Sequence, residues 1–251
     1  MTDFDLLKTV QPEEGYFCIL GIKGKSVLQK FVATRQEADA VTNDFVQQKR
    51  NVFFAVSKYQ ADDTRTKGNV KALKAFWLDI DCGVAKAEPN AKTGIPDGYI
   101  DQPAAGKALH SFCTLVGLPK PIIVNSGRGL HVYWALTEEI TREVWEPVAA
   151  RLQQLCNTHK FYVDNAVFEV ARILRIPGTY NFKGDTPALV SVINEAPSVD
   201  FQAFSQLLGV QEPLANAAPK RVSRLGKYLA TAANSVTKFS KIMTRSAKGE
   251  G

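Results

Sequence analysis

Residues 76–83 read FWLDIDCG, an apolar run that carries Asp79 and Asp81 two positions apart. Phe76, Trp77, Leu78 and Ile80, bounded by Gly83, predict a short buried β-strand. Side chains alternate faces along a strand, so both aspartates point the same way, roughly 6–7 Å apart. Two desolvated carboxylates on one face repel each other, and burying each is costly. A divalent cation between them removes that cost. Oxygen-only ligands suit Mg²⁺ or Mn²⁺, held by one or two carboxylates and completed by substrate phosphates. The plain alternative is a strand end whose acids already reach water.

Outward from this strand, 36–50 carries a helical pattern and 51–59 (NVFFAVSKY) a strand-like run. Residues 60–70 predict a polar loop presenting Arg65 and Lys67 as candidate nucleic-acid contacts. Residues 84–101, rich in Pro, Gly and Asn, predict an irregular surface insertion. A helix over 103–116 leads to a strand at 121–125, and SGRG then turns into a second strand at 130–136. Residues 137–159 predict a long amphipathic helix capped by Thr137 or Thr141. One more strand is expected at 186–193 and a closing helix at 200–208. No Rossmann glycine signature is present, and the short SGRG connection favours a hairpin. The expected class is α+β, a sheet with helices packed on one face.

Two further segments carry chemistry. In NSGRGLHVYW (125–134), Gly127 and Gly129 allow a tight turn and close backbone approach to an anion. Ser126 adds a hydroxyl, Arg128 a planar fork for phosphate, and His131 follows on the strand. An ordinary hairpin with an exposed arginine explains the same residues when they are taken alone. In VDNAVFEVARILRIPGTYNFK (163–183), Asp164 and Glu169 precede Arg172, Arg175 and Lys183. On a helix, Arg172 and Arg175 would share a face and Glu169 would pair with Arg172. The basic groups suit a triphosphate or a nucleic-acid backbone.

Composition sets the frame. A chain of 251 residues with 45% hydrophobic and 22% charged content is one large folded domain, or one with an appendage. No apolar run approaches the ~20 residues of a membrane span and the N-terminus is polar, which predicts a cytoplasmic protein. Cys18, Cys82, Cys113 and Cys156 lie far apart without zinc spacing, so reduced thiols and no zinc are expected. The net charge of +6 resides in residues 219–251, which hold eight Lys/Arg, including Lys220, Arg221 and Arg224, against Glu250. Such a segment either contacts nucleic acid or forms a solvated helix. The Pro/Ala-rich 213–219 is the expected linker between a domain at 1–212 and a basic helical tail at 220–251. The abrupt polar end predicts a piece of a longer protein, and the lack of heptads a monomer.

Together the three segments resemble the archaeo-eukaryotic primase superfamily, in which an acidic pair on a strand precedes a Ser-x-His-like element and a third acid near a basic stretch. The resemblance is in particular to phage and plasmid primase-polymerase domains, where phrases like NSGRGLHVYW and ARILRIPGTYNFK recur, and it covers residues 50–195. It implies an RRM-like antiparallel or mixed sheet with flanking helices. It implies nucleotidyl transfer on single-stranded DNA from NTPs or dNTPs through two Mg²⁺ or Mn²⁺ ions, and a helicase or helical module further along the full-length protein. Carried over by position, Asp79 and Asp81 would be metal ligands, with Asp164 as the third acid and Glu169 as its alternative. Ser126, Gly127, Arg128, Gly129 and His131 would contact the nucleotide, His131 also acting in catalysis, and Arg172, Arg175 and Lys183 would contact phosphates or template. Two other readings stand beside it. One is a non-catalytic, RRM-like single-strand-binding or initiator module stacking bases on Tyr133, Trp134 or Phe182. The other is a metal-dependent nuclease or phosphatase.

Overall fold

A computed structural model describes residues 4–210. The linker expected at 213–219, and the tail with Lys220, Arg221 and Arg224, lie outside the described residues. In chain order the elements are α1 (Leu6–Val10), β1 (Phe17–Lys23), β2 (Ser26–Val32), α2 (Arg35–Gln47), β3 (Asn51–Ala55), β4 (Lys58–Tyr59) and β5 (Val70–Cys82). They continue as α3 (Val84–Ala87), β6 (Gly98–Tyr99), α4 (Gln102–Val116), β7 (Ile122–Asn125), β8 (Gly129–Ile140) and α5 (Arg142–Thr158). The last are β9 (Ile173–Arg175), β10 (Tyr180–Asn181), β11 (Ala188–Leu189), β12 (Ser191–Asn194) and α6 (Phe201–Leu207). No helix among the described residues is long and apolar enough to cross a membrane.

The larger sheet runs β12-β7-β8-β5-β4, antiparallel throughout, with β6 added parallel to β5. A four-stranded antiparallel sheet runs β2-β1-β3-β9. This is the α+β, mixed-sheet class expected. The strand of the two aspartates is central because its middle is apolar on both faces: Phe76, Trp77, Leu78 and Ile80 are all buried. Phe76 stacks on Trp145 of α5 and Phe204 of α6, with centroids 5.6 and 4.9 Å away. Alternation then puts Asp79 and Asp81 on the opposite face from Phe76. Burying three stacked rings anchors the strand, since each large aromatic removes 150–250 Å² from water.

Several boundaries differ from the sequence reading: the run at 51–59 divides into β3 and β4, that at 186–193 divides into β11 and β12, and β5 begins at Val70. Strand β8 runs on to Ile140 because the first half of β5 gives it a partner, Leu73 opposite Ile140. Thr137 is therefore in the strand, and α5 begins after Thr141, which sits at the N-cap without a side-chain capping bond. The 163–183 segment is not a helix: Ile173–Arg175 pairs with β3 as strand β9. The insertion at 84–101 is ordered, because Asp81 and Cys82 pair in parallel with Gly98 and Tyr99.

Candidate active site

The SGRG hairpin forms as expected, with Asn125 and Leu130 paired across it. It brings His131 opposite Asp79 and Gly129 opposite Asp81 in the ladder between β8 and β5. The second sheet faces them with Phe53 of β3 and Arg175 of β9. A cleft of about 470 Å³ results, lined by Asp79, Asp81, Ser126, Arg128, His131, Arg172, Arg175 and Lys183. Phe53, Cys82, Lys86, Ile173 and Asn181, which the sequence did not single out, complete the lining.

Asp79 is the electrostatic centre. Removal from water, and then the neighbouring Asp81, push its carboxyl up to about 6. Arg172 opposes this from 3.6 Å. His131 Nε2 lies 3.8 Å from Asp79 Oδ1, but burial, Arg175 and Arg172 push the imidazole down to about 3, so the contact joins a neutral ring to a carboxylate rather than an ion pair. Its Nδ1 is buried without a hydrogen-bond partner. Arg175 is only 4% exposed. Burial lowers its guanidinium to about 10, with Asp79 partly offsetting, and it stays charged at neutral pH. It donates to Asn51 Oδ1 at 2.8 Å and covers the Phe53 ring at 4.6 Å. Asn51 Oδ1 also accepts from the Phe182 N–H at 2.9 Å, which ties the chain carrying Lys183 to β3.

Of the two candidate third acids, Asp164 is placed beside the pair. Its N–H donates to the Asp79 carbonyl at 2.9 Å, and its carboxylate is ion-paired with Arg172. Neither Asp164 nor Glu169 is among the residues lining the cleft, and the helical Glu169–Arg172 pairing expected from the sequence gives way to Arg172 with Asp164 and Asp79. Asp81 is bound by Lys86, Nζ to Oδ2 at 2.7 Å.

The glycine loop works differently from the expectation. The Ser126 N–H bonds the Gly129 carbonyl and the Gly127 N–H bonds Asn125 Oδ1, so neither is free for an anion. A Cβ on Gly129 would lie 2.2 Å from the Ile80 carbonyl oxygen, and one on Gly127, at φ +88°, would lie 2.8 Å from Asn181 Cβ. These glycines let the hairpin pack on its own chain, which leaves ligand contact to the Ser126 and Arg128 side chains. Arg65 donates to the Ala171 carbonyl, and Lys67 lines a separate cleft with Gln60, Lys71 and Arg142. Tyr133 and Trp134 are fully buried and offer no stacking platform; only Phe182 of the proposed three is partly open.

No cluster of three His, Cys, Asp or Glu side chains poised as a metal site occurs among the described residues. The two acids still fit a hard cation. They are oxygen donors on one strand face, and the carboxyl of Asp79, held up by burial and then by Asp81, is one whose charged form a bound cation would stabilise. The third carboxylate is turned to Arg172.

No family model matches the sequence. The structure is similar to the archaeo-eukaryotic primase domain of the primase-polymerase of cyanophage S-2L, with a TM-score of 0.55 at 17% identity, covering 77% of this chain and 89% of that one. The fold is that of a primase-polymerase domain. A curated relative, a replication protein of Clostridium perfringens, is 23% identical over 150 residues, which is 58% of this chain. The chain spans about a third of that relative's length, 32%. Within the primase-polymerase fold, the acids lie on the longest strand of the larger sheet, and the arginines that face them lie on or next to the last strand of the smaller one.

Proposed function

We propose that this chain is a nucleotidyltransferase that joins nucleotides on a single-stranded DNA template, making primers, extending them, or both. The observation that carries the reading is the acidic pair of β5 facing Arg172, Arg175, Arg128 and Lys183 across one cleft. The primase-polymerase fold and a relative named as a replication protein support it. Asp79 and Asp81, with Asp164 as the third acid, would hold Mg²⁺ or Mn²⁺, which when bound supply charge neutralisation and activation of the attacking 3′-hydroxyl.

The chain's own groups do the rest. Arg175 and Arg172 present planar forks, and Arg128 and Lys183 reach in from exposed loops; together they bind the triphosphate and stabilise charge on the leaving pyrophosphate. Arg175 is preorganised by Asn51 and Phe53, so little reorganisation remains when phosphate arrives. Neutral His131 offers a ring N–H to a phosphate oxygen without adding charge. The test is DNA-dependent pyrophosphate release with Mg²⁺ or Mn²⁺, followed by product sizing with and without a primer. Chains longer than the primer support the reading. Shortened DNA, or phosphate release without elongation, contradicts it in favour of a nuclease or phosphatase.

A further inference from the structure

Lys86 lies on α3, five residues beyond Asp81, in the segment whose composition predicted only an irregular insertion. The segment pairs with β5 through Gly98 and Tyr99, opposite Asp81 and Cys82, and is closed by main-chain bonds of its own. The Gly83 N–H donates to the Tyr99 carbonyl at 2.8 Å and the Asp97 N–H to the Lys86 carbonyl at 3.0 Å. Gly98 packs so tightly that a Cβ there would lie 2.2 Å from the Asp81 carbonyl oxygen. The ammonium is therefore delivered to Asp81 by a folded strap.

The setting of this pair differs from that of the deeper acids. Asp79 and Asp164 share Arg172, whose side chain is 23% exposed, whereas Asp81 and Lys86 are 42% and 44% exposed at the open side of the cleft. A lysine is a point charge on a flexible four-carbon stem, so it can leave a carboxylate without backbone movement. A cation arriving from solvent competes with it for the same oxygens.

We propose that Lys86 is the resident counter-ion of the acidic pair, neutralising Asp81 while the cleft is free of metal and yielding the carboxylate to an incoming divalent cation. It thereby sets the cation affinity of the cleft. This rests on the reading in which Asp79 and Asp81 are the cation's ligands.

The test measures Mn²⁺ binding to the full chain by electron paramagnetic resonance of free Mn²⁺, without DNA or nucleotide. Removing a half-exposed competing charge in Lys86→Met should tighten Mn²⁺ binding about fivefold. Lys86→Gln should do the same, and Asp81→Asn should abolish the binding in either background. In metal-free buffer Lys86→Met should lower the melting temperature, and the loss should vanish when Asp81 is already Asn. Unchanged or weaker Mn²⁺ binding in both Lys86 variants, with the Asp81→Asn loss intact, would overturn the role of Lys86 and leave the ligand assignment standing. Wild-type Mn²⁺ binding in Asp79→Asn and Asp81→Asn would overturn both.

Discussion

The two sheets that meet at the cleft bring opposite charges. Strand β5 of the larger sheet carries Asp79 and Asp81, and the end of the smaller sheet carries Arg175, with Arg172 just before β9. Either set alone would be a liability, two carboxylates on one partly dry face or a guanidinium only 4% exposed. Each is tolerated because the other sheet faces it. The compensation is incomplete, and the remainder is informative: Asp79 still sits above its ordinary range, while Arg175 is lowered but charged. A buried acidic pair beside a larger set of fixed positive charges suits a cation and a polyphosphate together.

Among single substitutions, the largest expected effect comes from emptying the basic side. Arg175→Ala should reduce kcat/KM for nucleotide incorporation about 10²-fold. Arg175→Lys should recover only part, because a point charge cannot make the fork that reaches Asn51. Steady-state kinetics on primed single-stranded DNA measure this, and a variant as active as wild type would break the pairing of the two sheets.

A smaller effect tests how far the arginines compensate Asp79. A carboxyl raised from 3.8 to about 6 in the folded state contributes stability that is present below about pH 4 and lost as pH rises through about 6. In metal-free buffer, wild type should lose roughly 2 kcal/mol relative to Asp79→Asn between pH 4 and 7. Urea unfolding across that range reads the difference. A flat difference would mean that Arg172 and Arg175 neutralise Asp79 fully.

The smallest effect concerns Arg128, which is exposed and belongs to the hairpin rather than to the facing sheet. Arg128→Ala should raise the apparent KM for nucleotide about tenfold with kcat little changed. A fall in kcat with KM unchanged would move Arg128 from nucleotide binding to the chemical step.

The two sheets also differ in how much of them could be read beforehand. The acids of β5 were legible because DID interrupts an apolar run, and alternation forces both onto one face. The hairpin and His131 were legible from a glycine-containing turn between two apolar runs. The basic residues were recognisable by type but not by placement, since Arg175 reaches the cleft only when β9 pairs with β3, Arg175 opposite Phe53. A three-residue strand carries too little periodicity to distinguish it from a helical turn. Strand β2 is exposed from Ser26 to Lys30, so its sequence has no buried face to alternate. Lys86 was hidden for another reason: the composition of its segment reads as loop, and main-chain pairing with β5 leaves no side-chain signature.

The most direct test of the account is incorporation of labelled nucleotides on single-stranded DNA with Mg²⁺ or Mn²⁺, comparing wild type with the Asp79→Ala/Asp81→Ala double variant at matched folding. The account predicts metal-dependent elongation by wild type and a loss of about 10³-fold or more in the variant. Elongation by the variant at the wild-type rate would contradict it, because the acids of β5 would then have no part in the chemistry.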